Sequence, residues 1–406
     1  MLPRDGEDAL AGLGSGTARI TDVLVAGAGP TGLAVAAKLA AAGIDVTVID
    51  NQATGDNTSR AAVVHARTLE VLADLGVSAR LVAEGIEAPR FTIRDRDKTL
   101  VPIRFDDLPS DFPYALMVSQ AVTERVLLER VIELGGHVRR PLTLVGLVQD
   151  GAGVTATTED GTEIRARFLV GADGMHSTVR EKAGIGFPGG KYAESFSLAD
   201  VRIEGDAPRD EVILYFSPEG TLVSAPLPDG SFRFVAPVAE APAEPDVDYV
   251  QGLLDRRGGS TPVKVTEVVW GSRFRVHHRV ADAYRAGRVL IAGDAAHVHS
   301  PAGGQGINTG IQDAVVLGDA LVAVLTSGPG AGSEEGLDDT LLDDYGARRR
   351  PVAQEVIDLS DRLPRFGLAR GVRRGVRNLV LSTLAKLPPF RRMLAWRLSG
   401  LVYRDR

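Results

Sequence analysis

The sequence predicts an α/β fold in which a parallel-sheet half is interrupted by a mostly antiparallel sheet, then completed, and followed by a C-terminal helical segment. Three observations predict it. A Gly-x-Gly-x-x-Gly turn at 27–32 lies between an apolar strand and an Ala-rich helix. From the Pro/Gly-rich break at Gly184–Gly190 to about Trp270, the apolar period shifts toward two. From Arg288 onward a short buried strand and a long apolar helix return.

Each element follows in order. Residues 1–19 are acidic, small and Gly-rich, without the basic start and apolar run of a signal peptide, and read as a flexible arm. Val23–Ala26 is a buried strand, Leu33–Ala42 a helix ended by Gly43, and Asp45–Ile49 a second strand, which together make a βαβ opening. The uncharged run Val23–Ala37 is too short to span a membrane. Arg67–Leu75 and Ala121–Leu134 have helical spacing and stop at Gly76 and at Gly135-Gly136. Strands at Leu142–Val148, Val154–Thr158 and Ile164–Val170 complete the first part of the parallel-sheet half, 20–185. Strands at Phe196–Ile203, Glu211–Phe216, Thr221–Pro226 and Ser231–Val238, with a Pro228-Asp229-Gly230 hairpin turn, form a sheet domain over 186–275. Arg288–Ala292 and Gly306–Leu325 finish the first domain over 276–360, ahead of a basic helical segment at 361–406. Ser327–Asp339 is a Gly- and acid-rich loop.

Composition excludes several classes. The 406 residues suit two or three domains. A formal charge of −7 gives no global attraction for nucleic acid. The absence of cysteine excludes disulfides and thiol chemistry, and fits a cytoplasmic protein. His297, His299, His277 and His278 lack the Cys or acidic partners of a convincing ligand set, so no metal is expected. The sequon at Asn57 lies in a chain without a secretion signal.

Three motifs carry chemistry. In VLVAGAGPTGLAVAAKLAAAGIDVTVID (23–50), Gly27 makes a tight turn, and Gly29 lets backbone approach a pyrophosphate between Ala28 and Pro30-Thr31. Gly32 permits close helix–strand packing, and Asp50 can take a ribose hydroxyl pair. That carboxylate would repel a 2′-phosphate, so FAD or NAD is favoured here over NADP. Gly184-Ile185-Gly186-Phe187-Pro188-Gly189 has the same spacing, but no strand precedes it and Pro188 sits inside it. In FLVGADGMHSTVR (168–180), a strand runs into Asp173-Gly174. This is either a functional turn or an ordinary N-cap. In the third segment, 288–321, a strand runs into Gly293-Asp294, a Pro/Gly loop and a helix start, whose partial positive charge would stabilise an anionic cofactor edge.

In order and spacing these segments resemble the FAD-dependent aromatic hydroxylases of the p-hydroxybenzoate hydroxylase type, especially those that tailor polycyclic polyketides. SRAAVVHARTLEVL (59–72), VSQAVTERVL (118–127) and RFRVHHRVADAYRAGRVLIAGDAAH (273–297) extend the resemblance over about residues 20–360. It implies a Rossmann-like FAD-binding domain of glutathione-reductase type around a substrate-binding β-sheet domain. It implies that Asp50 holds the adenosine ribose, and that Arg60 and Gln120 contact the pyrophosphate or ribityl region. Asp173 would belong to the motif linked with FAD and NADPH pyrophosphate, and Asp294 would bind ribityl hydroxyls. Pro301, Gly303, Gly304, Gln305, Gly306, Ile307 and Asn308 would line the flavin ring.

The implied reaction uses NADPH or NADH as reductant and O2 as co-substrate, and proceeds through a flavin C4a-hydroperoxide attacked by an electron-rich aromatic ring. The cofactor carries this chemistry, so no obligatory catalytic side chain follows. Phe196, Tyr215, Phe232, Phe234 and Trp270 are the candidates for substrate contact, although alternation allows only one face of each strand to line a pocket. Epoxidation, Baeyer–Villiger insertion and flavin reduction remain open on the same fold. A halogenase is disfavoured, since the only tryptophans are Trp270 and Trp396. A non-catalytic flavin-binding or membrane-associated protein is the reading from another class. For the basic C-terminal segment, a cap packing its apolar face on the FAD domain is preferred over docking on an anionic membrane surface. Nothing in the sequence sets the oligomeric state.

Overall fold

The computed structural model describes residues 19–55, 61–301, 303–327 and 339–406. β1 (Arg19–Ala26) runs into the Gly-rich turn and α1 (Pro30–Ala41), with Pro30 in the first turn, where a helix has no use for its missing N–H. β2 (Val46–Ile49) is buried throughout. Next come β3 (Val63–Val64), α2 (Ala66–Ala73), α3 (Ser78–Glu84), β4 (Ile86–Ala88), β5 (Arg90–Asp95), β6 (Lys98–Arg104) and β7 (Ala115–Met117). α4 (Gln120–Glu133) is capped by the Ser119 hydroxyl, which accepts from the Val122 N–H. β8 (His137–Arg139), β9 (Leu144–Asp150), β10 (Gly153–Thr158), β11 (Glu163–Gly171) and α5 (Thr178–Lys182) close this part of the chain.

The sheet domain holds β12 (Gly189–Gly205), β13 (Glu211–Ser217), β14 (Gly220–Pro226), β15 (Phe232–Val238), α6 (Val247–Arg257) and β16 (Val263–Val280). The chain then returns through β17 (Arg285–Ala286), β18 (Val289–Ile291), β19 (His297–Val298) and α7 (Gly306–Thr326). It ends with α8 (Asp339–Gly367), α9 (Gly371–Leu384) and α10 (Pro388–Leu398).

β1 lies at the centre of the first sheet, parallel to β2 and β11; β8 and β18 extend it on either side, also parallel. Buried on both faces, β1, β2, β18 and the end of β11 read as apolar runs, which made them legible; β8, polar and partly exposed, did not. α1 and α7 pack together because small residues let them approach: a Cβ on Gly310 would fall 2.5 Å from the Thr31 hydroxyl oxygen. α7 is long and apolar enough to cross a membrane, yet 67% of its most apolar window is buried in this core.

The second sheet has the order β19-β16-β12-β15-β14-β13-β5-β6. One face is covered by α6, which buries Val250, Leu253 and Leu254 against it. The other faces the first domain. Two expectations change here. Residues 90–104, assigned by sequence to the FAD-binding part, form β5 and β6 of the second sheet, β5 pairing parallel with β13. The C-terminal segment does not cap the FAD-binding half alone: α9 and α10 contact β6, burying Ala385 and Ala395 beside Leu100, Ile103 and Phe105. The decoy glycine motif is a close-packed connection, where a Cβ on Gly186 would meet the Asp282 carboxylate at 2.1 Å.

Candidate active site

A cavity of about 870 Å³ is lined by both domains, within the usual range for small-molecule and cofactor sites. Its first end is the Gly-rich turn. Gly27 has φ +104°, and a Cβ there would lie 2.2 Å from the Ala172 carbonyl. Gly29 caps α1, and the space where its Cβ would project is open. Gly27, Ala28, Gly29, Pro30 and Thr31 all line the cavity. No acidic residue stands in the first turn of α1, so the helix end presents uncompensated positive charge. Asp50 lines the same end, accepting from the Ala28 N–H (2.7 Å) and the Gln52 N–H (2.8 Å). Gln120 lies there too and donates to Glu124 (2.8 Å). Gly32 sits behind the cavity, where its Cβ would be 1.9 Å from the Gly27 carbonyl. Arg60 lies outside the described residues.

The second part is the loop between β18 and α7. Asp294, Pro301, Gly303, Gly304, Gly306 and Ile307 line it, and Gly303 and Gly304 have φ of +94° and +62°. α7 starts at Gly306 with no acidic residue in its first turn. Gln305 and Asn308, expected at the ring, are instead buried behind the loop. Asn308 donates to the Val63 and Gly304 carbonyls (3.0 and 2.7 Å) and accepts from the His65 N–H (2.8 Å), so it pins the loop to β3. Gln305 donates to the Leu398 carbonyl (3.3 Å).

Two imidazoles border this loop. His65 Nε2 donates to the Gly303 carbonyl (3.0 Å), and His299 Nδ1 to the Ser300 carbonyl (2.9 Å). Burial pushes both down to about 4, against the slight upward pull of those carbonyls, so both rings are neutral at pH 7. The carbonyl acceptors fix the tautomers and leave His299 Nε2 as a buried lone pair without a protein partner. His297 bonds to Asp313 (2.5 Å), which also takes Arg349 (2.6 Å), locking this loop to α7 and α8.

The Asp173 segment forms a third edge. Asp173 lines the cavity, but its carboxylate accepts from the Ser177 hydroxyl (2.5 Å) and the Val179 N–H (3.1 Å) at the start of α5. Burial raises its pKa despite those bonds. Arg180 donates to the Ala295 and Met175 carbonyls (2.9 and 3.0 Å), tying this segment to the one holding Asp294, and its guanidinium lies 3.9 Å over the Phe187 ring. His176 and His277 line the cavity beside them. Burial, then Arg279, Lys191 and His176, lower the pKa of His277, which marks a locally cationic rim.

The remaining wall is apolar and comes from the second sheet. Phe196 and Phe274 stack at 5.6 Å and 20°, with Leu198, Leu214, Val223 and Val235 on neighbouring strands. β5 and β6 add Phe91, Ile93, Ile103 and Phe105. α10 adds Met393, Leu394, Arg397 and Leu398. One ion pair sits in this wall, Arg233 on Asp200 through two 2.7 Å bonds. Tyr215, Phe232 and Phe234, expected to touch substrate, point the other way and are buried in the core against α6. Trp270 pairs in register with Asp200 but does not line the cavity. Among the described residues no group of three His, Asp or Glu side chains forms a metal site.

Most of the wall was missed because it lies on β5, β6 and α10, distant in sequence from the recognised sheet. His65 and Arg140, which lines the cavity and donates to the Ala28 carbonyl (2.8 Å), were missed because they stand alone, and His299 was weighed only as a metal ligand. The useful signal was the alternation FRFVAPV (232–238), whose smaller set, Arg233, Val235 and Pro237, faces the cavity.

The residues fit FAD: an open cradle at Gly29 on a helix start, a carboxylate at Asp50, and a second helix start behind Gly303-Gly304. Comparison with known proteins agrees. The family model "FAD binding domain" matches residues 20–360. The rifampicin monooxygenase of Streptomyces venezuelae is 39% identical over 345 residues, which cover 83% of this chain and 70% of that protein. The 6-methylpretetramide 4-monooxygenase of Streptomyces rimosus is 40% identical over 346 residues, covering 82% of this chain and 60% of that protein. The crystal structure of p-nitrophenol 4-monooxygenase PnpA from Pseudomonas putida superposes with a TM-score of 0.80 at 26% identity, covering 96% of this chain and 99% of that one.

Proposed function

This chain belongs to the FAD-dependent aromatic hydroxylase family, and from that premise we propose that it is an NAD(P)H-consuming monooxygenase acting on a polycyclic phenol of polyketide type. The observation that carries the reading is that one cavity takes in both the cofactor-binding features of the first domain and an apolar, aromatic wall of the second sheet. When bound, FAD supplies the chemistry, taking hydride from the nicotinamide and passing one oxygen atom of O2 to the substrate.

The chain supplies binding, orientation and dryness. Asp50 receives the adenosine ribose, and the α1 start receives the pyrophosphate. Asp294 would hold ribityl hydroxyls, and the α7 start, with no acid in its first turn, would stabilise negative charge on the flavin. Asn308 and His65 anchor Gly303 and Gly304 through their carbonyls. The stacked pair Phe196–Phe274 offers a flat apolar surface to a flat substrate. The cationic side chains of Lys191 and Arg279 beside His277, with the hydrogen-bonding imidazoles of His176 and His277, suit the phosphates of the reductant. Excluding water from the apolar chamber favours oxygen transfer over release of hydrogen peroxide.

The test is NADPH and NADH oxidation by the FAD-loaded protein against a panel of polycyclic phenols, with mass spectrometry of the products. Stimulated oxidation with a gain of one oxygen is expected. Products reduced by two hydrogens, with no oxygen gained, would replace this reading by a reductase. His277→Glu is expected to raise KM for the reductant severalfold while leaving FAD content unchanged; an unchanged KM would move the reductant elsewhere.

A further inference from the structure

α9 is turned inside out. Two of its three arginines face the protein: Arg374 and Arg377, with Asn378, close on the buried carboxylate of Asp95 in β5, Arg374 Nε and Asn378 Nδ2 at 2.7 and 2.6 Å. Arg377 also donates to the Gly367 carbonyl (2.8 Å) and stands over the Phe216 ring. Leu381 packs inward beside them, and most of the other apolar residues take the opposite side. Val372, Val376, Leu379, Val380, Leu384 and Leu387 follow helical spacing and are all exposed, Val372 at 85% and Leu379 at 68%. No residue of α9 is buried. A helix whose polar stripe is anchored and whose apolar stripe meets water leaves a contiguous patch of the kind that marks an interaction surface.

We propose that this outward face of α9 docks on an anionic lipid bilayer. Charge selects that partner. Arg374 and Arg377 are taken up by Asp95, Arg404 by Glu70 and Arg406 by Glu355, but Arg373, Lys386, Arg391 and Arg392 remain around the stripe in a stretch, 367–406, whose one acid is Asp405, while the whole chain carries −7. Arg373 and Lys386 are exposed and flank the stripe by helical position, where their heads can reach lipid phosphates while Val and Leu enter the acyl boundary. Placement adds a second reason. α10, the next element, walls the cavity with Met393, Leu394, Arg397 and Leu398, so docking sets the substrate chamber next to a phase that dissolves apolar polycyclic compounds.

The test is co-sedimentation of the FAD-loaded full chain with vesicles of phosphatidylcholine alone and of phosphatidylcholine with phosphatidylglycerol. Binding to the anionic vesicles, weakened by salt, is expected. The double variant Val376→Asp, Leu379→Asp is expected to lose binding by roughly tenfold or more while keeping its FAD and melting temperature, since both side chains already face water. Arg373→Glu is expected to cost at least roughly fivefold on anionic vesicles alone. Failure of the wild type to sediment with anionic vesicles overturns the proposal. So does vesicle binding that the aspartates leave intact. If the aspartates instead convert a dimer to a monomer in light scattering, the stripe is an interface between copies and the bilayer assignment is wrong.

Discussion

Single side chains divide the cavity residues into those that touch ligand and those that hold the frame. Gly29 faces open space in a conformation any residue can adopt, so Gly29→Val should leave the apoprotein fold intact and abolish FAD retention. Wild-type flavin content in that variant would remove the pyrophosphate from the α1 start. Asp294→Ala should weaken FAD by about tenfold to a hundredfold, the usual cost of losing a charge-assisted hydrogen bond. The buried histidines give a pH signature. Their folded pKa of about 4 lies below the unfolded value of 6.5, so unfolding takes up protons between those pH values. Stability is therefore full above the unfolded value and is lost as pH falls toward 4. Denaturation of wild type and His65→Gln from pH 7.5 to 4.5 should show a shallower loss in the variant, and parallel curves would mean His65 is not held neutral by the fold.

At the scale of elements, the second sheet assigns its two faces opposite jobs. Phe234 belongs to the core beneath α6 and Val235 to the chamber. Phe234→Ala should cost about 3–5 kcal/mol and leave KM for substrate within experimental error. Val235→Trp should change KM severalfold with little change in melting temperature. Equal effects on both properties in both variants would show that the faces are not separated. The same strand shows how far sequence reading reaches. The positions of β13, β14 and β15 were legible from alternation and from the Pro228-Asp229-Gly230 turn, where Leu227 and Ser231 close the hairpin. Which face meets ligand was not legible, because the larger aromatic set fills the space under α6 and a buried ion pair, Arg233–Asp200, stands on the chamber side. The membership of β5 and β6 in this sheet was missed for another reason: the two form a local hairpin that joins the sheet only through β5, and its parallel pairing across more than a hundred residues, Ile93 with Leu214, leaves no local signal.

For the molecule as a whole, the sequence carried the cofactor half far better than the substrate half. The turn at Gly27–Gly32, the acid at Asp50 and the Gly293–Asp294 segment are local patterns whose chemistry follows from backbone geometry. The chamber is assembled from four separate stretches of chain and becomes visible only when β5, β6 and α10 close it. α9 extends the lesson, since helical periodicity found its apolar stripe but not which side would face the protein; the carboxylate of Asp95, 279 residues away from Arg374, decides that. The two halves meet in one cavity, and that is the basis for oxygen transfer. The most direct measurement is a single turnover: the FAD-loaded protein is reduced without air, mixed with a polycyclic phenol, exposed to isotopically heavy oxygen gas, and the product is weighed by mass spectrometry. One heavy oxygen atom in the product is the expected result. Reoxidation of the flavin that yields only hydrogen peroxide with every phenol, or a product whose new oxygen comes from water, would contradict it.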